Sequence, residues 1–305
     1  MTHELLIWDY ASLLSKFFWY FAIAALAGGT LCFALVEDVS RRYLLSYMRY
    51  CLAGTIVAFH SVILYFLIQV GIANAEGISG MFDWSMVSFY LGLDIGETSL
   101  FRMAVLLVML LMYPAIMVYL GKLTRPPTQR FFRFLQRFNI VCVLLLGLTF
   151  QATGHVAPEG FPFRLALVAH VISIALWAGS LYPLLLVSKI YPVERVQNIL
   201  HKFSRVATII VSILIISATI VAIGLLDTPS ALFNTNYGRA LLLKMCLVGL
   251  LLSLAALNRW RLCVNLTKEG YLQKLQLSIR GEMALVVMIL LLTTYLSTTI
   301  GPGQV

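Results

Sequence analysis

Three of the five histidines lie in or at the end of apolar stretches, where an imidazole is costly unless it has work to do. His170 lies six residues past Arg164. His155 closes an earlier apolar run in Ala152-Thr153-Gly154-His155-Val156-Ala157-Pro158. Only the short connection Pro158 to Pro162 separates the two stretches, so as helices they would be antiparallel neighbours with both rings at similar depth. Paired imidazoles suit Cu(II), Cu(I), zinc or haem iron. The plainer alternative is a hydrogen-bonding histidine at a helix end. His60, eleven residues past Arg49, is a third metal candidate, with a satisfied interior histidine as an equal reading. His3 and His201 fall in a tail and a basic connection, where surface is the default.

Charges inside apolar stretches narrow the chemistry further. A charged side chain near a bilayer centre costs about 2.5–3.5 kcal/mol on insertion scales, so such residues usually face a bundle interior. Arg102, with Glu97 and Asp94 nearby, and Lys244 are read as pathway or gating charges around an outward-opening cavity. Snorkelling to the interface is their alternative. Met103 follows Arg102, and Met245 and Cys246 follow Lys244, which makes these three a candidate soft relay for an ion such as Cu(I). Methionine as a packing filler is the commoner use.

These groups need an apolar scaffold. The 305 residues are 61% hydrophobic and only 11% charged, against roughly 25% charged in soluble domains. That excludes a soluble globular enzyme, a disulfide scaffold and a disordered chain. Eight apolar segments are legible, at about Tyr10–Val36, Tyr47–Ile72, Thr98–Leu120, Phe138–Thr153, Phe163–Val187, Phe203–Leu226, Arg239–Asn258 and Ser278–Ser297. In lipid each must satisfy its own backbone, so each is predicted to be a helix. The fold expected is all-α, a polytopic membrane bundle of eight transmembrane helices.

The basic residues sort by connection: 17 of the 22 Lys and Arg fall at the first, third, fifth and seventh. Acidic residues Glu4, Asp9, Glu76, Asp83, Asp94, Glu97, Glu159 and Asp227 occupy the other side. The positive-inside rule then places both termini outside, a side that is periplasmic if the membrane is a bacterial inner one. The net charge of +9 follows from this topology, and no nucleic-acid partner is expected; the partner is the lipid bilayer. No cleavable signal peptide is expected, and the five cysteines, in spans or on the basic side, point to no disulfide framework. The connection at about Ala73–Glu97 carries Trp84 and Phe89 and is expected to lie along the outer interface.

The chain also reads as two four-helix pseudo-repeats, residues 1–153 and 154–305. Gly96 to Met103 and Gly238 to Met245 both place a cation six residues after a glycine, with a methionine directly after it. Ala25-Leu26-Ala27-Gly28-Gly29-Thr30-Leu31 has a counterpart in Ala175-Leu176-Trp177-Ala178-Gly179-Ser180-Leu181. Chance similarity between apolar helices is the alternative. No phosphate-binding glycine loop, Cys-x-x-Cys pair or His-Glu-x-x-His motif occurs, so an enzyme is not expected.

The second half resembles the copper resistance protein D (CopD/PcoD) family of bacterial inner membranes. The resemblance rests on Gly154-His155, His170 to Leu181 with Trp177, Phe203-Ser204-Arg205, Tyr237 to Lys244, Asn258-Arg259 and Glu282. It implies a multi-pass inner-membrane protein whose cargo is a copper ion, Cu(I) or Cu(II), moved from periplasm towards cytoplasm. It further implies a periplasmic copper-binding partner, CopC-like, and a copper role for His155 and His170. Lys16-Phe17-Phe18-Trp19-Tyr20 stands where family members often carry a first-span histidine. Two readings compete with transport: a b-type haem electron-transfer protein ligated by two of His60, His155 and His170, and a docking platform for a copper chaperone that transports nothing.

Overall fold

The computed structural model describes residues 2–37, 39–123, 127–152, 160–225 and 230–299. Its regular elements are helices: α1 (Thr2–Leu35), α2 (Arg41–Asn74), α3 (Gly77–Gly80), α4 (Trp84–Leu91), α5 (Asp94–Lys122), α6 (Gln129–Leu148), α7 (Phe161–Ile190), α8 (Val193–Leu225), α9 (Ala231–Asn234), α10 (Asn236–Leu257) and α11 (Tyr271–Thr298). A 3₁₀ turn at Thr149–Ala152 extends α6, and a π-turn at Asn258–Leu262 extends α10. Eight of the helices (α1, α2, α5, α6, α7, α8, α10 and α11) are long and apolar enough to cross a bilayer. The chain is a polytopic, all-helical membrane protein.

Side-chain oxygens mark several helix starts by taking otherwise unpaired amides. Ser40 accepts from the Tyr43 amide, Thr128 from Phe131 and Thr235 from Gly238. Asp83 caps α4 through Ser85 and Met86, and the Ser85 hydroxyl with these amides holds its carboxyl below the usual carboxylate range. Around this cap Phe82, Trp84 and Phe89 stand exposed, as aromatic residues do at a membrane–water boundary.

Helices α1 and α7 are the most buried and α10 the most peripheral. Small residues let α1 and α7 meet. A Cβ at Gly179 would lie 1.6 Å from the Ala24 carbonyl oxygen, and one at Gly28 would lie 1.9 Å from the Gly179 carbonyl carbon. The two glycine-bearing segments that resemble each other in sequence are therefore the ones pressed together at this crossing. Pro183 lies within α7 and has no amide proton for the Gly179 carbonyl. That carbonyl accepts instead from the Tyr50 hydroxyl of α2, at 3.0 Å.

One face of the bundle is laced by cations. The Arg41 guanidinium donates to the Leu120 carbonyl at the end of α5, Arg195 donates to the Glu37 carbonyl, and Lys202 pairs with the Glu37 carboxylate at 2.6 Å. Hydrogen bonding from Lys202, reinforced by its charge, holds the Glu37 carboxyl below the usual carboxylate range.

Candidate metal centre

His170 sits nine residues into α7, facing α8 and α10. Its Nδ1 is shut off from solvent and has no hydrogen-bond partner. The Leu214 carbonyl of α8 lies within hydrogen-bonding reach of the ring, and the Lys244 ammonium of α10 is close enough to act on it electrostatically. Buried polar nitrogens are nearly always paired, so an unpartnered imidazole nitrogen at membrane depth calls for a ligand. A soft or borderline metal ion fits a free imidazole nitrogen. Copper, zinc, nickel and haem iron all accept such a ligand.

The other nominated residues fall in different places. His155 lies outside the described residues. His60 is exposed on the outer surface of α2, with Nδ1 2.8 Å from the Ile56 carbonyl oxygen one turn back. Among the described residues no group of three or more His, Cys, Asp or Glu is placed to hold a metal. Glu97 is exposed in the first turn of α5. Arg102 is only 8% exposed. Its Nε donates to Thr149 Oγ1 at 2.8 Å and a terminal nitrogen to the Thr149 carbonyl at 3.4 Å. Its guanidinium carbon stands 4.7 Å from the Trp19 ring centre and 5.6 Å from that of Phe150. Arg102 thereby ties the 3₁₀ end of α6 to α1 and α5.

Lys244 is half-buried and lies within electrostatic range of His170, from a distant part of the sequence. Met103 is half-buried against the core. Met245 is 58% exposed and Cys246 is exposed, both on the outer side of peripheral α10. Among the described residues the buried sulfur-bearing side chains are instead Cys32, Cys51, Cys142, Cys263, Met48, Met81 and Met109. Cys51 lies within hydrogen-bonding reach of the Tyr47 and Tyr113 phenols. Asn139 bridges those phenols, accepting from Tyr113 at 2.9 Å and donating to Tyr47. The sequence signal for this network was available: Asn139 is an amide inside an apolar stretch.

A second buried polar contact joins α10 to α11, where Asn258 Nδ2 donates to Glu282 Oε1. Residues 197–296, which run from α8 through this contact, match the family described as copper resistance protein D, CopD. The chain carries a CopD domain. This domain contains Leu214, Tyr237, Lys244, Asn258 and Glu282, and His170 leans on it from α7. No curated protein and no solved structure matches the chain.

Proposed function

We propose that this CopD-domain protein accepts copper at the periplasmic side of a bacterial inner membrane and passes it through the bundle towards the cytoplasm. The observation that carries the reading is the unpartnered, buried Nδ1 of His170, held beside a CopD domain. Copper is the cargo here. His155, from the connection before α7, is the natural second nitrogen ligand. Lys244 lies near the first site and, as an ammonium, opposes a cation that lingers there. The acidic face, with Asp94 and Glu97, draws cations in and offers a surface to a CopC-like partner. The orientation follows from the cationic face, which belongs in the cytoplasm by the positive-inside rule. The two four-helix halves, 1–153 and 154–305, would then meet at the α1–α7 crossing.

The test is metal analysis of the purified full-length protein after copper loading, with copper uptake into proteoliposomes, for wild type, His155→Ala and His170→Ala. Bound copper and uptake should both fall in His170→Ala. Equal copper content and equal uptake in wild type and His170→Ala would overturn the reading. Unchanged uptake with intact partner binding would turn it into a docking platform. A haem Soret band in the purified protein would replace copper by electron transfer. Because His60 points outward, a haem would have to rely on His155 and His170.

A further inference from the structure

The last two membrane helices enclose a carboxyl group that copper binding at His170 does not use. Glu282 is 3% exposed, eleven residues past the start of α11. Asn258, 8% exposed, opens the π-turn that follows α10, and such turns recur at functional sites. Asn258 Nδ2 donates to Glu282 Oε1, while Asn258 Oδ1 is buried with no partner. Ser278, one turn before Glu282 and on the same face of α11, also has a buried Oγ without a partner. The Asn258 oxygen thus lacks a donor, while the Ser278 hydroxyl has a hydrogen to give.

An ionised carboxylate only accepts hydrogen bonds and cannot supply what Asn258 Oδ1 lacks. A protonated carboxyl carries one O–H. With the proton on Oε2, acid and amide close a two-bonded ring: Nδ2–H to Oε1, and Oε2–H to Oδ1. The ring satisfies the orphaned oxygen and removes an uncompensated charge from an apolar interior.

The surrounding charges leave the carboxyl to this ring. From its own helix, Lys274 and Arg280 are exposed; from the π-turn, Arg259 and Arg261 are exposed, and Arg259 donates to Thr208. From α7, Lys189 is exposed, and from α1, Lys16 reaches the far end of α11 at the Ser297 carbonyl, 2.9 Å away. Cys263, buried directly after the π-turn, is a titratable neighbour on which Glu282 acts electrostatically.

We propose that Glu282 and Asn258 form a proton-binding site. Glu282 holds its proton in the acid–amide ring at rest and releases it as H⁺ to water on the cationic face during a transport cycle. The carboxylate then takes one proton back, so each cycle exchanges one. The link to a transport cycle rests on the copper reading; the proton site does not.

Infrared spectra of the full-length protein in lipid nanodiscs, in H₂O and D₂O, test the site without copper. Wild type should show a protonated-carboxyl C=O band at neutral pH that shifts in D₂O. Glu282→Gln should lose the band yet stay folded, because glutamine can make the same two-bonded ring with Asn258. Asn258→Ala should shift the band and remove it at a lower pH. The proposal is overturned if wild type has no Glu282-dependent band between about pH 5 and 8, or if Asn258→Ala leaves the band unmoved. It is also overturned if Na⁺ at constant pH removes the band, which would make the cluster a metal-cation site.

In proteoliposomes, wild-type copper uptake should change by up to about tenfold per pH unit, the ceiling for one linked proton. Uptake by Glu282→Gln should be flat with pH. Equal pH dependence in both proteins would sink the coupling. Absent wild-type uptake alongside an intact band would sink the copper reading and leave the proton site standing.

Discussion

Replacing Gly179 with alanine should damage this protein more than any other single-methyl addition to α7. The new Cβ would lie 1.6 Å from the Ala24 carbonyl oxygen and 2.3 Å from the carbon it is bonded to. Both are backbone atoms of a buried helix, so no side chain can swing aside. Reaching ordinary contact requires α1 and α7 to part by about 2 Å, a gap that forfeits more than half of the dispersion attraction across the crossing. The same movement stretches the Tyr50–Gly179 bond, now 3.0 Å, and the Ser180–Gly28 bond, now 3.3 Å. Overpacking at about 1–3 kcal/mol with two weakened hydrogen bonds at about 1 kcal/mol each gives a loss of roughly 3–5 kcal/mol. The control is Gly249→Ala on α10, where the added Cβ meets nothing within 4 Å. There the gain in helix propensity, up to about 1 kcal/mol, should show undiminished. Thermal unfolding of both variants in one detergent reads the difference. If Gly179→Ala unfolds with the wild type, the close crossing of α1 and α7 is wrong.

Lys244→Met should raise copper affinity at the His170 site roughly tenfold, the equivalent of about 1.4 kcal/mol of relieved repulsion; competitive titration with a copper chelator reads it, and an unchanged or lower affinity counts against the gating role. Arg102→Met should cost about 2–4 kcal/mol through lost charge-assisted hydrogen bonds and ring stacking. Arg102→Lys should recover only part of that, since lysine lacks the planar fork that meets Thr149 twice; equal melting of the three proteins would refute it. Glu37 has its carboxyl pKa depressed in the folded state by Lys202, so its contribution is present above the unfolded carboxyl range and lost as pH falls through the folded value. The stability gap between wild type and Glu37→Gln should therefore hold at neutral pH and close below about pH 4, as followed by melting at stepped pH.

The eight spans were legible because near-continuous apolarity has one economical meaning in lipid. Most of the errors in where they start share one cause. The four membrane helices that begin on the cationic face, α2, α6, α8 and α11, start six to ten residues earlier than the apolar pattern indicates. Their extra turns carry Arg41 and Arg42, Arg130 and Arg133, Arg195 and Lys202, and Lys274. Hydrogen bonding keeps a helix going past the point where hydropathy ends, while long cationic side chains reach the water. Individual sites were harder to read. Sequence spacing told that Met245 and Cys246 adjoin Lys244, but α10 presents them to the outside while Lys244 turns in. Which face of a uniformly apolar helix meets its neighbours is decided by packing, and uniform apolarity carries no stripe. The pairing of Asn258 with Glu282 was hidden for another reason: it joins two helices, and only their docking shows that one partner lacks a donor.

Pro183 makes α7 incomplete by itself. A membrane helix ordinarily carries every backbone partner it needs and can enter the bilayer alone. This one arrives with the Gly179 oxygen unclaimed, and the claim is met from α2 by Tyr50. Synthesis runs from the N-terminus, so the phenol is already waiting when the proline-broken segment emerges. Reversing that order, as a circular permutation opening between α2 and α7 would, leaves a bare carbonyl in hydrocarbon until the missing helix follows.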